Sequence, residues 1–349
     1  MTRFEREIER QRRRLTDTDE RATGGIADRF ERVRRTLAGR TRALLDIVTR
    51  RRHRRQRTDS AWLHASEQFT ALIADTTEQI VPFLAEALRL TEEGQGRMLD
   101  EVAPDVRRLA ELALGPAPGD RPPPLPRWLA LELGSLRPDV ASRILGSATD
   151  GRPLALLFAE LAPEHSQRII DIIVSGVTSG RQVELIAADI AQASGMTLSR
   201  ASTIARTEIG RARREAARAV MVTPESPIEE WVWHAMLDAC GSCQAQHGSV
   251  HPVDELLLSH PNCRCVMVPR MPSWAALGFA GVPDLRPRIV PGAERFAAFD
   301  PATQLAILGP GKYEAYRTGR ITLADLVTHT HSERWGPGSR EATLAEALA

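Results

Sequence analysis

From Ile26 the apolar positions recur as Ile26, Phe30, Val33, Leu37, Leu44 and Val48, spaced by threes and fours with Thr41 filling the one gap. That spacing holds a single stripe on one side of a helix and predicts a long amphipathic helix. Gly24 and Gly25 are expected to break it from the charged segment before it. The helical period continues through Phe69, Leu72, Ile73, Ile80, Leu84 and Leu88, with Pro82 read as a kink and the stretch from Gly94 to Gly96 as a break. At "GPAPGDRPPPLP" (Gly115 to Pro126) the pattern stops, and a semi-rigid, extended linker is expected there. Helical pattern resumes from Trp128 to Val222, with Thr197 or Ser199 as the cap of the last helix. In "IEEWVWHAM" the period shortens to two, so that Trp231 and Trp233 point one way and Val232 the other. "CVMVP" (Cys265 to Pro269) is a second strand of the same kind.

The expected fold class is mainly α with a small α+β C-terminal domain: long N-terminal helices, a helical middle, and a small antiparallel sheet with a zinc-bound cysteine loop. The expected division is a long-helix region over 1–114, the linker over 115–126, a domain over 127–270 containing the cysteine loop 238–265, and an extension over 271–349.

Composition alters this picture in two places. No run of about 18 apolar residues occurs, so no membrane span is expected, and "MTRFEREIERQRRR" lacks the apolar core of a signal peptide. The chain is therefore expected to stay in a cytoplasm. The net charge of +1 hides a segregation: residues 1–60 hold nineteen arginines against ten acidic residues, and the remainder is net acidic. Lys312 is the only lysine, so nearly all positive charge sits on arginine, which suits phosphate recognition but which a GC-rich genome alone would explain. "RRRHRRQR" (Arg50 to Arg57) is a basic run suited either to phosphates or to plain solvation. The N-terminal segment is thus expected to bind something acidic, DNA included, or to self-associate through its apolar stripe.

All four cysteines, Cys240, Cys243, Cys263 and Cys265, fall between Asp238 and Cys265. A CxxC pair lets two thiolates converge from a tight turn, and Gly241 gives that turn its backbone freedom. Nineteen residues separate it from the CxC pair, close to the spacing of zinc ribbons. Two ligand sets fit: all four cysteines, which is favoured, or three cysteines with His260. One structural zinc per chain is expected, against free buried thiols or a redox CxxC. No catalytic residue is expected: no nucleophile has an adjacent base, and no glycine-rich loop could cradle phosphate.

"IARTEIGRARREAA" (Ile204 to Ala217), "WVWHAMLDACGSC" (Trp231 to Cys243), "HG" (His247, Gly248) and "HPNCRC" (His260 to Cys265) together resemble the phage Mu F-like head morphogenesis proteins, minor head proteins of tailed phages. "IIVSGVTSGRQVELIAADIAQASG" (Ile172 to Gly195) is similar to that family's upstream pattern, so the resemblance spans roughly Leu161 to Arg270. A weaker similarity covers Phe299 to Val327. The resemblance implies a structural protein of the head, bound near the portal among capsid proteins, in the virion or prohead interior and in the host cytoplasm during assembly. In "ARTE", Arg206 and Glu208 are candidates for a functional pair, against ordinary salt bridges or caps at a helix start, and Arg206, Glu208, Asp238 and His247 are candidates for structural or partner-binding roles. The competing reading is a zinc-dependent HNH-like nuclease or DNA-binding protein, built on His234, Asp238, His260 and Asn262 around the cysteines.

Overall fold

The computed structural model describes residues 2–115, 135–223, 226–278, 281, 283–332 and 335–349. Of the linker, only Gly115 is among them; Pro116 to Pro126 lie outside the described residues. The fold is mainly α, with small antiparallel sheets confined to the C-terminal part. The helices are α1 (Arg3–His53), α2 (Ser60–His64), α3 (Glu67–Ala113), α4 (Pro138–Ile144), α5 (Leu154–Ala159), α6 (Leu161–Thr178) and α7 (Val183–Met221), followed by α8 (Gly241–Gln246), α9 (Gly292–Ala297), α10 (Pro301–Arg317) and α11 (Leu344–Ala347). The strands are β1 (Glu230–His234), β2 (Val250–Pro252), β3 (Val266–Arg270), β4 (Val327–Ser332) and β5 (Gly336–Glu341). No helix among the described residues is long and apolar enough to cross a membrane.

The chain forms two compact units that are interleaved in sequence. One comprises Asp19–Gly94 and Arg152–Arg206. Here the stripe from Ile26 to Val48 is consumed inside the unit, each of its six apolar members being at most 2% exposed. Phe30 meets Phe83 edge to face at 5.1 Å. Self-association through that stripe therefore has no free apolar surface to use.

Several expected breaks are overruled by packing. α1 runs through Gly24 and Gly25, and a Cβ on Gly25 would sit 3.0 Å from Leu90 Cδ1, so the glycine admits a close approach of α3. α3 likewise continues through Pro82 and through Gly94 and Gly96. A proline inside a helix costs about 3 kcal/mol, but Ile80, Phe83, Leu84 and Ala87 around it are buried, and each large apolar side chain returns about 1.5–3 kcal/mol. Thr197 and Ser199 are not caps, because both lie within α7. The Thr197 hydroxyl is instead 2.9 Å from Nδ1 of the buried His165.

The other unit comprises Met1–Thr18, Gln95–Gly151 and Thr207–Ala349. Its three-stranded sheet has the order β2-β1-β3, with Trp231 opposite His251 and Pro269. Trp231 and Trp233 share one face of β1 as their spacing predicts, but Val232 is buried too, so both faces are covered. β2 and the β4-β5 hairpin have no counterpart in the sequence reading. "THTHS" and "GPGSRE" offer no apolar alternation to find them by. α10 bends at Gly309 (φ +70°) ahead of Pro310 and packs Leu308 and Ala315 against Phe296, Ile321 and Leu326.

Candidate metal centre

The second half of α7 turns three faces to three different neighbours in its unit. Thr207, Gly210 and Arg214, spaced by three and four, face the cysteine return. The Thr207 hydroxyl accepts from the Asn262 backbone N–H at 3.1 Å, and Arg214 donates to the Cys263 carbonyl at 3.2 Å. A Cβ on Gly210 would lie 3.3 Å from that same carbonyl oxygen.

On the next face, fully buried Glu208 accepts from Arg211 Nε at 2.6 Å and from the Thr149 hydroxyl at 3.0 Å. Burial raises the Glu208 carboxyl pKa, against the pull of Arg211 and Thr149. On the third face, Arg213 donates to Asp105 at 3.0 Å and to Gln11 at 2.9 Å. Arg206 and Glu208, expected as a pair, have separate partners, since Arg206 lies 3.9 Å from Asp19. The roles of Thr207, Gly210, Arg213 and Arg214 were missed in the sequence. The available signal was a helix carrying arginine on every side, which no single solvent face can accommodate.

Cys240 immediately precedes α8. The Gly241 N–H donates to Glu341 Oε2 at 2.6 Å, and Glu341 also pairs with Lys312. A Cβ on Gly241 would press Leu326 at 2.8 Å and Leu308 at 3.0 Å, so this turn needs its glycine for a close approach. Gln244 closes the loop by donating to the Met236 and Leu237 carbonyls, both at 2.9 Å. In the turn ahead of β3, Asn262 takes a left-handed backbone (φ +65°), which reverses the chain between His260 and Cys263.

The donors converge as two triads sharing Cys243: Cys240, Cys243 and His260, and Cys243, Cys263 and Cys265. His260 Nε2 is 3.3 Å from both Cys240 Sγ and Cys243 Sγ, and Cys243 Sγ is 3.8 Å from Cys263 Sγ. A tetrahedral ion with metal–sulfur bonds of about 2.3 Å and metal–nitrogen bonds of about 2.0–2.1 Å implies S···S edges near 3.8 Å and S···N edges near 3.5 Å. His260 Nδ1 lies 2.8 Å from the Pro261 carbonyl, so the other ring nitrogen is the one turned to the thiols, the usual disposition of a metal-binding histidine. The Cys265 N–H donates to Cys263 Sγ at 3.5 Å.

The electrostatics divide the thiols: Cys243 is pushed well up, chiefly by Cys240, and Cys265, against the pull of Cys243, is pushed up by Cys263 and by burial, whereas Cys263 is held well down, chiefly by Cys243. Cys240 is held down to about 5, chiefly by its hydrogen bond with Cys243, with His260 assisting against burial. His260 is raised to about 9, chiefly by its bond to Cys240. In the metal-free chain a proton thus sits between imidazole and thiolate, where a cation would take its place. Each triad offers one face of a thiolate-bound metal site, although the donors of the two triads are not all within 4.8 Å of one another. Asp238, exposed, borders the same cavity of about 190 Å³.

His247 and His234 belong to neither triad. His247 Nδ1 accepts from the Ala235 N–H at 3.0 Å and from Arg295 at 2.8 Å, and His234 meets the ring edge-on at 4.7 Å. The four residues of the nuclease reading are thus divided between two surroundings. Burial, then Arg295 and Arg12, hold His247 down to about 3 from its ordinary 6.5. As pH falls from about 6.5 to about 3 the unfolded chain takes up a proton that the folded ring refuses. His247 should therefore cost up to about 1.4 kcal/mol of stability per pH unit across that window, and none above it. Denaturation midpoints at pH 7 and pH 5 measure this, and His247→Asn, which keeps an acceptor near Nδ1, should flatten the dependence by about one proton.

The "HG" pair sits on a tight contact. The His247 carbonyl accepts from the Gly292 N–H at 2.7 Å, and a Cβ on Gly292 would lie 1.9 Å from the Gln244 carbonyl oxygen. Gly292→Ala should destabilise this unit by about 3 kcal/mol, the upper end for an overpacked site, because backbone has to move. Urea titration reads this; an unchanged midpoint would show that the contact yields freely.

No curated protein and no solved structure matches the chain. A family model does match, over a span that begins in α6 and takes in the Thr207, Gly210 and Arg214 face, the CxxC turn and most of β3. Residues 167–268 are similar to the family described as Phage Mu protein F like protein.

Proposed function

We propose that the protein is a minor head protein of a phage or phage-like particle, acting in head morphogenesis by binding other head proteins, the portal among them, and not by turnover. The observation that carries this reading is the family match over 167–268. It is supported by the coincidence of that span with the helix face, turn and return that assemble the cysteine cluster.

In this reading one zinc ion per chain joins the CxxC turn to the return, held by Cys240, Cys243, Cys263 and His260. His260 is preferred over Cys265 as fourth ligand because Nε2 touches both thiols of the first pair. Thiolate and imidazole donors suit zinc. A tetrahedral ion with four side-chain ligands keeps no open position to activate water, which argues against the nuclease reading. The ion's part is to bind chain to chain; Arg214, Gly210 and Thr207 then hold the clasped loop on α7.

Deleting the gene from the genome that encodes it tests the function. Heads should be missing, empty or poorly infectious while the major capsid protein still accumulates. Normal yields of infectious particles would reject the assembly role. Metal-dependent DNA cleavage by the purified protein, lost in His260→Ala, would support the nuclease instead.

A further inference from the structure

We infer that the end of the α1–α2 turn is a docking site for the phosphate backbone of double-stranded DNA, bound without regard to sequence. Arg50, Arg51, Arg52, Arg54, Arg55 and Arg57, with His53, are gathered where α1 ends and the chain turns into α2. The arginines do not have equivalent surroundings. Arg52 donates to the Val177 carbonyl at 3.0 Å and to that of Arg181 at 2.6 Å, closing the end of α6. Arg51 lies over the Trp62 ring at 4.6 Å, and Arg57 pairs with Asp59 at 2.6 Å. Arg50, Arg54 and Arg55 are exposed, and no carboxylate engages them among the described residues.

The plain alternative is that arginines gather at a helix C-terminus to complement its dipole. The magnitudes decide against it. Each helix end presents about half a negative charge, so α1 and α6 together offset one guanidinium and Asp59 a second. A surplus of about four positive charges remains within a few residues. Codon bias can explain arginine in place of lysine, but not the local lack of acidic residues.

A polyanion satisfies such a surplus, and guanidinium is the group that takes phosphate oxygens two at a time. A membrane-docking tip would add apolar anchors. Here Leu63 is fully buried and Trp62 lies beneath Arg51. The site does not depend on the head-protein reading, since it rests on the arginines of residues 50–57 and their immediate surroundings.

The test uses the full-length protein and a short random-sequence DNA duplex, with affinity measured by fluorescence anisotropy at a series of salt concentrations. Wild type should bind with an affinity that falls steeply between about 50 and 200 mM salt. Replacing Arg50, Arg54 and Arg55 together by glutamine should weaken binding at least about tenfold and reduce the salt slope by about 2.7, since each phosphate contact contributes about 0.9. These side chains are exposed and make no hydrogen bond or ion pair among the described residues, so the thermal midpoint should not change. If the triple variant nonetheless fails to fold, Arg54→Gln alone should lower the slope by about 0.9. Absence of duplex binding, variants that match wild type in affinity and slope, or tighter binding to phosphatidylserine vesicles than to the duplex would each overturn the site.

Discussion

Cys243→Ser protein should be purified nearly free of metal, and its amides between β1 and β3 should exchange as in an unfolded chain while those of residues 19–53 and 67–94 stay protected. Cys243 is the one donor common to both triads, so its loss leaves neither with three thiol or imidazole ligands. Apparent binding energies of structural zinc are about 10–16 kcal/mol in small peptides, and that energy is folding energy where no preformed site survives without the ion. The sheet here has strands of five, three and five residues, too little to hold a loop of this length by itself. Cys265→Ser is the contrasting case and should retain the metal. Hydrogen exchange that stays protected in Cys243→Ser would mean that α7 and the β4-β5 hairpin suffice to hold the loop.

The second large effect is expected at Asp105. Its carboxylate accepts from Arg213 and Arg14, and Gln11 bonds both the Asp105 carbonyl and the Arg213 guanidinium. Asp105→Ala strands Arg213 as a buried charge with only an amide beside it, which should cost about 3–5 kcal/mol. Arg213→Met should cost less, because Asp105 keeps Arg14. Replacing both, as Asp105→Leu with Arg213→Met, should recover much of the loss, as apolar pairs often do for buried ion pairs. Chemical denaturation of the three proteins measures the order. Equal losses in the two single variants would show that the pair is not the unit that matters.

The legible parts of this chain were those where one physical signal dominates. The stripe from Ile26 to Val48 faces a single core, so its period survives in the sequence. The tryptophan strand was legible from the two-residue spacing of Trp231 and Trp233, although Val232 between them is buried as well. Gly25 and Pro82 misled because a local preference of a few kcal/mol is outweighed by apolar burial along the same helix. The β4-β5 hairpin gave no signal, since it packs through Gly338 against Ser259 and through the Ser339 hydroxyl on the Leu258 carbonyl, not through an apolar face.

At the candidate centre the cysteines and His260 declared themselves by residue type and spacing. Thr207, Gly210 and Arg214 did not, because a threonine, a glycine and an arginine acquire their meaning only when a carbonyl or an amide from some fifty residues away is brought against them. Arg206 and Glu208 drew notice as neighbours in a motif, whereas the helix sends them to different partners.

The structural role assigned to the cysteine return depends on one ion being there. X-ray absorption at the zinc edge of the purified protein, read together with its metal content, tests this most directly. The account predicts about one zinc per chain with three sulfur ligands at about 2.3 Å and one nitrogen at about 2.0–2.1 Å. Metal content near zero with all four thiols freely titratable would contradict it.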